Sequence, residues 1–241
     1  YLSSVEEDGV SAWTFDPETR SLVFRNYRWV PALYKLFDEA LVNCRDHFIR
    51  IQQRIAGGDT RAHPVTQISV TIDQATGVIT MLNDGNGIDI AKHPEHKVYI
   101  PQMIFGELRT STNYDKKQKK IVGGKNGFGI KLVFIYSKWA TIETVDHTRK
   151  LKYTQRFEDN LAVTRKPSVK KSTSKPYTKV SFLPDYARFG VDGLTDDMVA
   201  LFSKRVYDVA AVTDRSVKVR LNKTLLPVRN FEQYVSMCIG P

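Results

Sequence analysis

The sequence predicts an α+β fold, with a mixed, mostly antiparallel sheet and its helices on one face. Three observations lead there. Strand-like segments follow one another as hairpins at 13–27, 65–82 and 138–158, with no helix between partners. Two long segments, 30–55 and 195–213, carry apolar residues at helical spacing. A doubly wound parallel sheet would need strands regularly separated by helices, and the P-loop signature that often accompanies one is absent.

The elements follow in order. "WTFDPETRSLVFRNY" alternates around a DPET turn and reads as a hairpin. From Val30 to Ile55, Leu33, Leu36, Phe37, Ala40, Leu41, Cys44, Phe48, Ile51 and Ile55 share one helical stripe, and Gly57-Gly58 ends it. "VTQISVTID" and "GVITML" are a strand pair on a short turn. A helical piece lies near 99–109, followed by a lysine-rich segment. The stretch "GGKNGFGIKL" (123–132) leads into a helix reaching about Tyr136. "KWATIETVD" and "KLKYTQRFE" pair across His147-Thr148, "YTKVSFLP" is a further strand, and Thr195 and Asp196 start a late helix. "SVKVRLN" is the last strand.

Composition excludes little but points somewhere. No run of about 18 apolar residues is present, which argues against a membrane span. Two cysteines, Cys44 and Cys238, provide neither metal spacing nor a disulfide framework. The net charge is +10, concentrated in "KKQKK" (116–120) and "RKPSVKKSTSKPYTK" (165–179). Such clusters are either solvated loops or a face that meets nucleic-acid phosphates.

Three motifs carry chemistry. Glu39, Asn43 and Asp46 stand at i, i+4 and i+7 of the first helix, on one face. That face is either an ordinary polar surface or one side of a cleft. In a cleft, Glu39 can act as general base and the amide oxygen of Asn43 can bind Mg²⁺. "MLNDGNGIDI" (81–90) runs a strand into Asn83-Asp84 and two glycines. It reads as a turn, or as a strand end whose Asn83 amide meets an adenine edge. Finally, Ser111, Thr112 and Asn113 precede the glycine-rich stretch. Backbone N–H groups at the start of the following helix suit an anion, although a flexible turn uses glycine equally well.

The order and spacing of these motifs resemble the GHKL ATPases. "VPALYKLFDEALVN", "NDGNGI", "IFGELRTSTNYD", "GGKNGFGIKL" and "KVRLNKTLLPVRNFEQYV" resemble, over nearly the whole chain, the ATPase region of eukaryotic type IIA DNA topoisomerases. The segment "IFGELRTSTNYD" discriminates, because chaperones and kinases lack it. The resemblance implies a Bergerat-type two-layer sandwich, with a GHKL ATPase domain over 1–225 and the start of a transducer domain over 226–241. It implies Glu39 as general base and Asn43 as Mg²⁺ ligand. Asn83 and Thr178 would hold the adenine, and Ser111, Thr112 and Asn113 the ribose and phosphates. The triphosphate would fall to Gly124, Lys125, Asn126, Gly127, Phe128, Gly129, Ile130 and Lys131, with Arg50 as a further phosphate ligand. His47 departs from the Asn usual in eukaryotic members.

ATP and Mg²⁺ are thus the implied cofactors. The implied partners are DNA and a second protomer in a full-length enzyme, with no membrane; the nucleus is the first expectation for its location, and an organelle or a viral setting in the host cytoplasm are the alternatives. The family's transducer lysine is expected beyond "MCIGP", and a dimer strap before "YLSSVE", so turnover is expected to be low. The lysine-rich 115–122 is expected to form a lid over the nucleotide. Two other readings compete: a nucleotide-sensing or DNA-contacting module without turnover, in which Glu39 would serve no purpose, and a chaperone-type GHKL ATPase.

Overall fold

The computed structural model describes residues 4–107 and 129–239. The expected roles of Ser111, Thr112, Asn113, Gly124, Lys125, Asn126, Gly127 and Phe128, and the lid over 115–122, lie outside these residues.

A hairpin of β1 (Asp8–Asp16) and β2 (Ser21–Trp29) precedes α1 (Pro31–Ala56). β3 (Gln67–Asp73), β4 (Val78–Asp84), α2 (Ile100–Gly106) and α3 (Gly129–Ile135) follow. Next come β5 (Ser137–Asp146), β6 (Leu151–Glu158), β7 (Val163–Thr164), β8 (Ser168–Lys171) and β9 (Tyr177–Pro184). A short 3₁₀ turn leads to α4 (Asp196–Ala211), β10 (Lys218–Leu221), β11 (Thr224–Leu225) and α5 (Phe231–Ile239). The main sheet is ordered β11-β10-β3-β4-β9-β5-β6-β7, with β8 also on β6. Among the described residues only the β10–β3 pair is parallel, so the expected mixed, mostly antiparallel sheet is what forms.

α1 forms because Pro31 presets φ at its first turn and the apolar stripe repeats on one face. Leu33, Leu36, Phe37, Leu41, Phe48 and Ile51 are all buried, each contributing about 1.5–3 kcal/mol of transfer free energy. Phe37 stacks on Phe202 of α4 with ring centroids 4.2 Å apart. Truncating it to Ala would cost about 3–5 kcal/mol. α4 begins where Thr195 Oγ1 accepts the Met198 N–H at 3.2 Å.

Strand alternation sends one face of the sheet toward these helices. Cross-strand register aligns its inward residues in rows. Ile72, Ile79, Phe182, Ala140 and Phe157 form one row, and Val70, Met81, Val180, Ile142 and Gln155 the next. The third row is Ile68, Asn83, Thr178, Thr144 and Tyr153. Its centre is polar, although Asn83 and Thr144 are buried. The opposite face is mostly polar at the centre, Leu82 apart, with Thr80 and Ser181 hydroxyls 2.8 Å apart.

Candidate functional site

The polar third row is one wall of a cleft of about 180 Å³. Its floor and sides are apolar: Met81 and Val180 from the sheet, Ile88 from the loop after β4, Ile104 and Phe105 from α2, and Ile130 from α3. Asn43, His47 and Arg50 enter from α1, while Asn83 and Thr178 enter from the sheet. The face of α1 that carries Asn43 is therefore a cleft wall rather than plain surface. Asp46 is buried and does not line the cleft; its charge acts on Arg50.

Two amides are pre-set by their own backbones. Asn43 Nδ2 donates to the Glu39 carbonyl at 2.6 Å, and Asn83 Nδ2 donates to the Asp84 carbonyl at 3.0 Å. One hydrogen of each NH₂ group is spent this way, and each carbonyl oxygen is available to accept from a ligand or bind a cation. The acid of the Asn-Asp-Gly motif is structural. Asp84 Oδ1 accepts the Thr66 and Gln67 N–H groups at 2.7 and 2.8 Å, tying the start of β3 to the end of β4.

The loop after β4 is pressed onto β5. A Cβ on Gly87 would lie 1.9 Å from the Val145 carbonyl oxygen, so only glycine allows this approach. The Ile88 N–H donates to Thr144 Oγ1 at 2.9 Å, and the Ile90 N–H donates to Asp146 Oδ2 at 2.9 Å. Thr144 Oγ1 is 3.0 Å from Thr178 Oγ1 and donates to the Tyr177 carbonyl. Burial alone would raise the Asp146 carboxyl, but the Ile90 and Arg149 amides and the Arg149 guanidinium hold it below its ordinary value. Sequence reasoning missed Thr144 and the apolar lining. The signal was present in part, since Thr144 is a polar residue at core parity in "TIETVD".

Glu39 lies one turn before Asn43, with Lys35 Nζ 2.7 Å from its Oε1. A Cβ on Gly129 would lie 1.8 Å from Glu39 Oε2, so the first residue of α3 leaves room for this carboxylate. Lys131 is buried, and its ammonium donates to the Glu107 carbonyl beyond α2. Burial lowers its pKa, partly offset by Glu107. His47 is held down to about 4, first by burial and then by the Arg50 guanidinium, so the ring is neutral at pH 7. Its buried Nε2 has no hydrogen-bond partner among the described residues.

Residues 30–187, which carry α1, the polar row and the cleft, match the model of the histidine kinase-, DNA gyrase B- and HSP90-like ATPases. The chain belongs to this ATPase family. Within it, the chain is 43% identical to the DNA topoisomerase 2 of Acanthamoeba polyphaga mimivirus, over 98% of this chain and 18% of that protein. It superposes on the ATPase region of Saccharomyces cerevisiae topoisomerase II with a TM-score of 0.88 and 39% identity, covering 98% of this chain and 60% of that one. The ATPase domain of Thermus thermophilus gyrase B shares the fold, with a TM-score of 0.58 and 20% identity over 83% of this chain and 47% of that one. The chain thus spans under a fifth of the mimiviral relative. The family's two-layer arrangement, helices over one face of a mixed sheet, is the one found here. Among the described residues, no helix is long and apolar enough to cross a membrane.

Proposed function

We propose that this chain is the ATP-binding and ATP-hydrolysing domain of a type IIA DNA topoisomerase, and that nucleotide-driven closure of two protomers powers passage of one DNA segment through another. The observation that carries the nucleotide reading is the pair of committed amides facing one apolar cleft. An adenine amino group needs an acceptor in a flat apolar slot, and Asn83 Oδ1 between Met81, Ile88 and Thr178 supplies one. Thr178, held by Thr144, supports the same edge. Arg50, at the cleft wall, supplies a cation for phosphates. Ser111, Thr112, Asn113 and the stretch from Gly124 to Lys131 complete the ribose and triphosphate contacts in this proposal, as the resemblance implies.

Mg²⁺ fits the donor set. It takes one or two protein oxygens and keeps waters and substrate phosphates for the rest, and the free atom of Asn43 is a hard amide oxygen. When bound, the ion offsets charge on the phosphate oxygens. Glu39 then takes the proton of the attacking water; its carboxylate sits one helical turn from Asn43, in the gap left by Gly129. We assign residues 1–225 to this domain and 226–241 to the start of the next one, with Leu226 and Val228 packed into the core of the first. The full-length protein would act on DNA as a homodimer in the nucleus.

Calorimetry with a non-hydrolysable ATP analogue, with and without Mg²⁺, tests the reading. Binding should need Asn43 and survive Glu39→Gln, because a base acts on water rather than on the nucleotide. No heat at millimolar analogue would overturn it.

A further inference from the structure

We infer that the β8 edge of the sheet is a docking surface for the phosphate backbone of duplex DNA. It uses residues remote from the cleft chemistry, so its failure would leave the nucleotide reading standing.

The carboxylates of β5 and β6 are already matched. Glu158 pairs with Arg156 and Arg165, both at 2.6 Å; Glu143 pairs with Lys152 and Lys179 at 3.0 and 2.8 Å; Asp146 pairs with Arg149 at 2.9 Å. Lys150, Lys166, Lys170, Lys171 and Lys175 remain. All five are exposed, and their side chains make no ion pair or hydrogen bond among the described residues. The sequence from 160 to 184 contains no Asp or Glu.

The ladder brings these charges together against their mutual repulsion. Lys170 stands directly opposite Lys152, and Lys171 opposite Leu151. Ser172 N–H donates to the Lys150 carbonyl at 2.9 Å, which sets Lys150 beside that corner. Like charges facing across an antiparallel pair are destabilising. Lysine on an edge strand also blocks edge-to-edge pairing, but one or two would serve that end.

The dimensions suit a duplex. From Lys166 to Lys171 the edge runs about 17 Å at roughly 3.3 Å per residue, and one DNA strand presents a phosphate about every 3.4 Å of axis. Lys166, Lys170 and Lys171 lie along that span, where one strand presents about five phosphates, and Lys150 and Lys175 flank it. Exposed Ser168, Thr173 and Ser174 add hydroxyl donors of the kind that position a backbone. Among the described residues no free aromatic side chain interleaves them: the Tyr177 ring has the Lys152 ammonium 5.9 Å from its centroid, and its hydroxyl is committed to Glu143 at 2.7 Å. Stacking on single-stranded bases is thus not provided for. Nor is an apolar anchor for a bilayer, since Val163 and Val169 are partly covered.

The test is fluorescence anisotropy of this chain with a labelled duplex of arbitrary sequence, across a salt series and without nucleotide. Replacing Lys166, Lys170, Lys171 and Lys175 by Ser should flatten the slope of log K against log salt by about 4. Between about 50 and 200 mM salt the parent should then lose affinity on the order of 100-fold more steeply than the variant. Removing the same charge elsewhere (Lys97, Lys218, Lys223 and Arg229 to Ser) should leave the slope within about one of the parent. Equal flattening by both variants would reduce the effect to net charge and overturn the assignment. So would binding to phosphatidylserine vesicles without binding to duplex. Thermal melting checks the fold; should the fourfold variant melt early, Lys166→Ser with Lys175→Ser, both outside strands, must still flatten the slope by about 2.

Discussion

Replacing Gly129 by Ala displaces the Glu39 carboxylate while keeping the backbone N–H assigned to the triphosphate. An added Cβ would sit 1.8 Å from Glu39 Oε2 and 2.5 Å from its Cδ, whereas ordinary van der Waals contact begins near 3.4 Å. The carboxylate must therefore withdraw by the difference, about 1.6 Å. It is the far end of a flexible side chain, and the Lys35 ammonium 2.7 Å away offers somewhere to go. Gly129 is not in the left-handed region of φ, and Ala favours a helix over Gly by up to about 1 kcal/mol. Stability should thus change little, with Tm within about 3 °C of the parent.

Chemistry should not be spared. A misplacement near 1 Å can cost about 100-fold, and a general base contributes about 10²- to 10⁴-fold. Hydrolysis should fall by at least about 100-fold, or roughly 2.7 kcal/mol of barrier. The assay is single-turnover phosphate release with protein in excess over ATP, beside calorimetry with the non-hydrolysable analogue. Binding should stay within about threefold. Adding Glu39→Gln should bring little further loss, because both changes remove one function. Unchanged hydrolysis in Gly129→Ala, or equal losses of binding and rate, would refute the reasoning.

Gly87→Ala should behave in the opposite way: its Cβ would meet the Val145 backbone carbonyl at 1.9 Å, which cannot swing aside. A loss of about 2–3 kcal/mol in urea unfolding is expected. Thr144→Val keeps shape but leaves the Ile88 N–H without its acceptor, so about 1–3 kcal/mol of stability should go, with weaker analogue binding. His47 contributes a pH dependence. Its folded value of about 4 lies below the ordinary 6.5, so the unfolded chain binds the proton more readily. Stability from this group is complete above about pH 6.5 and is lost as pH falls toward 4. The fall from 6.5 to about 4 corresponds to about 3 kcal/mol. His47→Asn should flatten that limb in urea titrations at pH 4–7, and an unchanged limb would contradict the burial argument.

Much of the fold was legible because its periods are strong. The α1 stripe from Leu33 to Ile51 and the alternation of β3 to β6 each repeat over several residues, and the structure keeps both. β7 and β8 were not legible, since two and four residues of polar, lysine-rich sequence carry no period; pairing with β6 makes them strands. The cleft was legible only in part. Asn43 and Asn83 stand out as amides in apolar surroundings, and both line it. Asp46 shares the helical spacing but is buried and does not line the cleft. Ile88, Ile104 and Phe105 look like any core residues in sequence; only the tertiary arrangement turns them into a lining.

Gln155 carries a consequence for how the molecule can move. Its Nε2 donates at once to Gln102 Oε1 at 3.0 Å and to the Arg165 carbonyl at 2.9 Å, in a side chain 1% exposed. Gln102 belongs to α2, the helix whose Ile104 and Phe105 wall the cleft; Arg165 opens the segment that becomes the basic edge. One buried amide group is therefore a rivet through two parts that face different ligands. If α2 shifts to admit or release a base, either the Arg165 end travels with it or a buried donor goes unmet, at about 1–3 kcal/mol. Occupancy of the cleft and the set of the lysine edge are in this way joined by a single side chain, across a distance no ligand spans.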